Sequence, residues 1–344
     1  MQPVALIIGI TGQDGAYLAR LLLDKGYRVI GAIRRSSTLT LPRLVELDIV
    51  DRIEMRALEL HELPSIIRLL RETKATEVYN LGGQSSVQVS FEQPIYTGET
   101  VGLGTLRLLE AIRLAGGQAR LFQASSSEIF GQMEACMVNE ASPMHPRSPY
   151  GVAKLYAHWS LVNYREAHDL YAVSGLMFNH ESPLRGMDFV TRKITATLAQ
   201  LACGSQTVLR LGNVDAQRDW GFAGDFVEAM WRMMQGEKPQ DYVVASGQLH
   251  SVRDWVNRAA QAVGFDLVWE GEGVAEKAYE RQSGRELVII DRQFYRPSEP
   301  HALIGDASQA RHKLDWQPKV DFDGLVEMMV QRDYDRAKAG GDWF

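Results

Sequence analysis

Short apolar runs alternating with amphipathic stretches constrain this chain more than any other feature. "VALIIG" (4–9), "RVIGAI" (28–33), "EVYNL" (77–81), "ARLFQA" (119–124) and "AVSGLMF" (172–178) have the length and β-branched content of buried strands. Between them lie helical segments such as "DGAYLARLLLDKG" and "GLGTLRLLEAIRLAGG", with leucines at helical spacing. Strands this apolar need cover on both faces, and parallel strands need crossovers long enough to hold a helix. The expected fold class is therefore α/β, a doubly wound parallel sheet. Beyond about Asn179 the texture changes to loops rich in Arg, Asp and Pro, between helices such as "VTRKITATLAQLA" and "GDFVEAMWRMM". The expected division is a first domain over 1–178 and a smaller C-terminal α/β lobe over 179–344 packed against it, some of whose segments return to the first sheet.

Composition narrows the partners. The net charge of −6 over 344 residues gives no general affinity for nucleic acid, so an anion site must be a local cationic cluster. Cys136 and Cys203 are the only two cysteines; they suit a reducing cytoplasm and form neither a disulfide framework nor a metal knuckle. No stretch approaches the roughly 20 apolar residues of a membrane span. The opening "MQPVALIIGITG" lacks a charged leader, so a cytoplasmic protein with no membrane partner is expected. His158 and His168 lack the spacing of H-E-x-x-H, and no metal is expected. No G-x-S-x-G elbow accompanies the serine run, which argues against a hydrolase.

Three motifs carry chemistry. In "GITGQDG", Gly9, Gly12 and Gly15 follow the first strand and open a helix. Glycines there let the backbone turn tightly and approach a pyrophosphate at the helix N-terminus, although glycines in such a turn can also serve packing alone. An NAD site places an acid about 20 residues further on. Here the second strand ends in "AIRRSS": Arg34, Arg35, Ser36 and Ser37 suit the 2′-phosphate of NADP, a solvated basic turn being the alternative. Finally, "ASSSEIFG" sets Ser126 and Glu128 ahead of "YGVAK", where Tyr150 and Lys154 share one helix face. A neighbouring ammonium favours the phenolate and makes a tyrosine usable as a base.

In these motifs the chain resembles the extended short-chain dehydrogenase/reductase family. "VYNLGGQSSV", "RSPYGVAKLYAHW", "FNHESPLRG", "LGNVDAQRDWGFAGDFVEAMW" and "FYRPSEPHALIGDASQA" are similar to its GDP-mannose 4,6-dehydratase branch, from the first strand to about Lys338. The resemblance implies a Rossmann-type NADP domain, a smaller sugar-nucleotide-binding lobe and a homo-oligomer, usually a tetramer. It implies 4,6-dehydration of GDP-mannose or a related GDP-sugar. Tyr150 would deprotonate the 4-hydroxyl with help from Lys154, Ser126 would hydrogen-bond the same oxygen, and Glu128 would act as base at C5. The cofactor would also touch Thr11, Gln13, Asp14, Glu59, Leu60, Leu81, Gln84, Ser85, Tyr96, His180 and Arg185. Ser85, Ser126, Asn179, Val190, Lys193, Arg218, Arg296 and Glu299 would bind the GDP-sugar.

The chain departs from that branch in two places. The branch usually carries Thr at Ser126 and an alanine pair at Gly82–Gly83. The missing methyls suggest added room near the sugar, so GDP-manno-heptose is the alternative substrate. A non-catalytic NADP-binding or sensor protein is the alternative of another class. The complete set Ser126, Glu128, Tyr150 and Lys154 favours the enzyme, since a pure binder has no use for it.

Overall fold

The structure, a computed structural model, describes residues 2–37, 40–133, 137–294 and 302–341. The chain forms two units. One contains Met1–Phe178, Ala223–Ala245 and Gly305–Gln317; the other contains Asn179–Phe222, Ser246–Ile304 and Pro318–Phe344.

The first unit is built on a seven-stranded sheet. Its strands β1 (Val4–Ile8), β2 (Arg28–Ile33), β3 (Glu54–Ala57), β4 (Glu77–Asn80) and β5 (Arg120–Ala124) are joined by Ala172–Met177 and Tyr242–Val244. All neighbours run parallel. From β1 the order runs through β2 to β3 in one direction, and through β4, β5 and the two later strands in the other. The direction reverses between β1 and β4, and a crevice opens at the carboxyl ends of strands at such a reversal. Leu6, Ile30, Val78, Leu121 and Ala172 are almost wholly buried in one cluster with Leu108 and Leu161 from the covering helices. That is the two-sided burial the unbroken apolar runs require.

Two strands of this sheet lack the sequence pattern of the others. β3 reads "EMRA" and is half exposed at the edge; "YVV" is buried but only three residues long. Neither is long enough for periodicity to mark it.

The second unit holds a three-stranded sheet (Leu249–Ser251, Gln217–Phe222, Asn179–Glu181) and a four-stranded sheet (Leu267–Glu270, Lys277–Glu280, Glu286–Ile290, Leu209–Leu211). The helices Val190–Ala202, Val252–Ala262 and Phe322–Lys338 bury Ile194, Leu198, Trp255, Leu325 and Met329 against them. A charged cluster pins two of these helices together. Arg192 and Asp333 are both fully buried with Nε and Oδ1 2.9 Å apart, Thr195 donates to the same carboxylate, and Arg336 flanks it at 2.7 Å. Arg192 also donates to the carbonyls of Pro183 and Arg185, which fixes the loop that carries Arg185.

Candidate active site

The glycine turn leads from β1 into helix α1 (Gln13–Asp24). Gly9 has φ +87°, and a Cβ there would lie 2.6 Å from the Leu81 carbonyl oxygen, so the turn closes directly on the end of β4. A Cβ at Gly15 would lie 2.3 Å from the Gly9 carbonyl oxygen, so only glycine lets α1 rest on its own turn. Gly12 is the N-cap and offers no side chain to the first-turn amides. A Cβ at Gly12 would approach only the Gly9 carbonyl, at 3.3 Å. The backbone is open to close approach on that side, and helix-start amides are donors suited to a pyrophosphate. Gln13 donates to Asp14 in the first turn, and the Thr11 carbonyl is tied to Arg43 at 3.2 Å.

Arg34, Arg35, Ser36 and Ser37 follow β2 and are exposed. Arg34 donates to the Tyr96 hydroxyl at 3.0 Å, which brings together two residues expected at the cofactor. Glu59 is half-buried and Leu60 buried just beyond β3. The Leu60 side chain borders Gly82, where a Cβ would come within 3.5 Å of it. Leu81 donates its amide to the Ile8 carbonyl; Gln84 is held by Thr97 and by the Ser86 amide; Ser85 is exposed.

The two glycines beside Leu81 differ in the room they leave. A Cβ at Gly82 would lie 2.7 Å from Ile8 Cγ2, and one at Gly83 3.1 Å from Val101 Cγ2. Ile8 already occupies the space that a methyl on Gly82 would take, whereas Gly83 is exposed. Gly83 also has φ +112°, a conformation side chains disfavour. The expectation of a roomier sugar pocket from this pair is corrected at Gly82 alone.

The reactive groups gather after β5 and at the start of the helix Pro149–His168. Ser126 caps the short turn Ser127–Ile129, its Oγ accepting the Glu128 amide at 3.2 Å. A hydroxyl that accepts in this way keeps its proton to donate. Glu128 is half-buried. A Cβ at Gly151 would lie 2.7 Å from the Glu128 carbonyl oxygen, so glycine lets the tyrosine helix begin against the glutamate turn. Ser148 caps that helix by accepting the Gly151 amide, with Pro149 in its first turn. Tyr150 and Lys154 follow on one face, each 7% exposed. The Lys154 ammonium lies 2.6 Å from the Ala124 carbonyl and 5.5 Å from the centre of the Tyr150 ring. Burial lowers the Lys154 pKa from 10.5 to about 8, against a smaller upward pull from Asp14.

One residue of this stretch escaped the reading of the sequence. Ser125 Oγ is buried without a hydrogen-bond partner among the described residues. A buried hydroxyl is rarely left unpaired. Nothing in "SSS" distinguishes it from its neighbours before the fold half-buries two and buries the third without a partner among the described residues. The open helix start, the orphaned Ser125 hydroxyl and the arginine pair after β2 together fit a nicotinamide dinucleotide.

Of the residues expected at the GDP-sugar, Ser85 and Ser126 lie in the first unit, and Asn179, Val190, Lys193 and Arg218 in the second. Asn179 and His180 lie on the strand Asn179–Glu181. Arg185 is paired with buried Glu181 at 3.0 Å and stacks on Phe189 at 3.5 Å, so much of its guanidinium is engaged within its own loop. Val190 opens its helix and is 39% exposed. Lys193 lies over Phe294 at 3.9 Å, and burial lowers its pKa despite nearby Asp291. Arg218 donates to the Gln217 carbonyl on the strand Gln217–Phe222. Arg296 and Glu299 lie outside the described residues. Among the described residues, no helix is long and apolar enough to cross a membrane, and no group of three or more His, Cys, Asp or Glu could hold a metal ion.

Comparison with known proteins agrees with the motifs. The family model for GDP-mannose 4,6 dehydratase matches residues 6–329. The chain is 47% identical over 338 residues to the GDP-mannose 4,6 dehydratase of Cricetulus griseus, covering 96% of this chain and 91% of that one. Among solved structures it is similar to the dTDP-glucose 4,6-dehydratase DesIV of Streptomyces venezuelae with NAD bound, at TM-score 0.79 and 20% identity, covering 98% of this chain and 99% of that one. It is also similar to RMD from Pseudomonas aeruginosa complexed with NADPH, at TM-score 0.75 and 21% identity, covering 97% and 100%. At such identities these two likenesses concern the fold. The family match and the 47% identity, each over nearly the whole chain, mean that this protein belongs to the GDP-mannose 4,6-dehydratase family.

Proposed function

We propose that the chain is a hydro-lyase that converts GDP-D-mannose to GDP-4-keto-6-deoxy-D-mannose, with Tyr150, Lys154, Ser126 and Glu128 as its reacting groups. Family membership carries the reaction. The residue roles rest on one observation above all: a buried ammonium, anchored on the Ala124 carbonyl, shares a helix face with Tyr150. A charge placed there favours the phenolate and gives a phenol the basicity the first step needs.

A nicotinamide dinucleotide held at the turn from β1 into α1 and beside Lys154 would supply the hydride chemistry, acceptance from C4 and return to C6. The proton chemistry belongs to the chain. Tyr150 takes the proton of the 4-hydroxyl while Ser126 donates to that oxygen. The ketone at C4 then makes the C5 proton acidic, because the carbanion left behind is an enolate. Glu128 removes that proton and passes one to the C6 hydroxyl, which leaves as water. The proton held on Tyr150 balances the one that C5 regains, directly or through solvent. A simple dehydrogenase has no use for Glu128.

NADP is the cofactor this reading favours. Arg34 and Arg35 sit where an NAD site carries an acid, and solved proteins of the same fold hold NAD or NADPH. The other cofactor and GDP-sugar assignments follow the resemblance, Arg185 with its Glu181 partner included. A homotetramer is the expected assembly. Val152, Tyr156 and Trp159 form an exposed apolar face on the tyrosine helix, 45–56% exposed, as an oligomer contact would need. The two cysteines, far apart in sequence, fit a cytoplasmic enzyme.

The test is incubation of the purified protein with GDP-mannose deuterated at C4. A 4-keto product carrying the label at C6 is expected, and in heavy water a second deuteron at C5. Label lost to solvent, or no 4-keto product, sinks the reading.

A further inference from the structure

Asn80 and Gln123 have no role in the reaction as described, yet both are buried beneath its residues, at 2% and 1% exposure. They lie side by side where β4 and β5 end, in register with each other. The parallel ladder between these strands starts with the Arg120 amide on the Thr76 carbonyl. Continued at its regular spacing, it would bring the Gly82 amide to the Ala124 carbonyl.

Other bonds are made instead. The Gly82 amide donates to Asn80 Oδ1 at 3.3 Å, Asn80 Nδ2 donates to Gln123 Oε1 at 2.7 Å, and Gln123 Nε2 donates to the Ala124 carbonyl at 3.0 Å. Three side-chain bonds replace one ladder bond. The ladder ends there, and both backbone groups are still satisfied, as buried backbone requires. The amide orientations follow from the partners, since reversing Asn80 would set its NH2 against the Gly82 amide. Thr105 closes the array, accepting from Asn80 at 3.3 Å and donating to the Val101 carbonyl at 2.7 Å. The second lone pair of the Ala124 carbonyl is what the Lys154 ammonium uses.

We propose that Asn80 and Gln123 are positioning residues, a buried amide bridge that takes over where the ladder between β4 and β5 ends and fixes both the Ala124 carbonyl under Lys154 and the Gly82–Gly83 turn. The inference rests on the reading of Lys154 as the helper of Tyr150. Two apolar side chains could fill the same volume, but they would orphan the Gly82 amide and release the Ala124 carbonyl. The ammonium would then lose its fixed partner at the point where its charge is needed.

Gln123→Met tests this in the full-length protein with NADP and GDP-mannose. It keeps length and volume and removes the donor. The expected result is a kcat about 10- to 100-fold lower, as for a misplaced catalytic group, with KM for GDP-mannose little changed. The alkaline limb of the rate should move to lower pH, because an unanchored buried ammonium gives up its proton more readily. Asn80→Leu should behave alike, and the double variant should be no worse than either single one, since the bridge is already cut. Should Gln123→Met fail to fold, Asn80→Asp keeps the shape and the acceptor for Gly82, removes the donor to Gln123, and carries the same expectation. A normal kcat and unmoved alkaline limb in Gln123→Met, alongside an inactive Lys154→Met, overturns the bridge while leaving the function intact. Additive losses in the double variant overturn it as well. An active Lys154→Met instead removes the reading of Lys154 and the inference with it.

Discussion

In the proposed reaction Glu128 and Tyr150 serve different halves, so their replacement should fail differently. Glu128→Gln keeps the shape and the capped turn but cannot take the C5 proton. Losing a positioned general base costs about 10²–10⁴ in rate, so 4-keto product should nearly vanish while a burst of enzyme-bound reduced cofactor still forms. Tyr150→Phe should give neither product nor burst. Stopped-flow absorbance of the reduced cofactor separates the two, and near-normal turnover by Glu128→Gln would remove the carboxylate from the mechanism. Lys154 sets a pH limit of its own. Its pKa of about 8 lies below the ordinary 10.5, so above about 8 the folded protein loses the charge that supports the phenolate. Between those values the unfolded chain holds the proton and the native state does not, so this lysine's contribution to stability rises with pH there. Rate and stability should part company. Activity should fall through about pH 8 while the melting temperature of the wild type rises relative to that of Lys154→Met. A melting difference flat across that range would show that the ammonium is not buried as described.

At the scale of the element, the turn from β1 into α1 tolerates least. Gly15→Ala puts a methyl 2.3 Å from a backbone carbonyl that cannot step aside. A loss of about 1–3 kcal/mol is expected, together with weakened cofactor binding, read by thermal melting and cofactor titration. Gly98→Ala is the control: its Cβ meets nothing within 4 Å and its φ is −60°, so it should be neutral or slightly stabilising. The turn after β2 governs a different property. Arg34→Ala with Arg35→Ala should weaken NADP far more than NAD, because only NADP has the 2′-phosphate for those guanidinium groups to hold. Equal affinity of the unaltered protein for both dinucleotides would overturn that assignment.

For the whole molecule, the proposed assembly turns on the exposed apolar face of the tyrosine helix. Tyr156→Glu with Trp159→Glu should shift the sedimentation profile from tetramer to smaller species, by setting like charges against each other wherever copies meet through this face. A tetramer unmoved by the pair, or an unaltered protein that is monomeric and fully active when dilute, would exclude this face as the contact. Much of the molecule is legible without coordinates. Long buried strands announce themselves through unbroken β-branched runs, the tight turn into α1 through three spaced glycines, and the shared helix face of Tyr150 and Lys154 through their spacing of one helical turn. Each of these is local, fixed by residues within a few positions of one another. Other features are not local. That Ala223–Ala245 and Gly305–Gln317 join the first unit, or that Arg192 meets Asp333 141 residues away, depends on which buried surfaces find each other. Gly82 read as added space until Ile8 proved to fill it. Asn80 and Gln123 read as ordinary strand residues, since an amide on a strand carries no sign of the bond it will replace. Only the register of β4 on β5 left one backbone donor and one acceptor to be joined through side chains, and the two amides lie where the ladder ends.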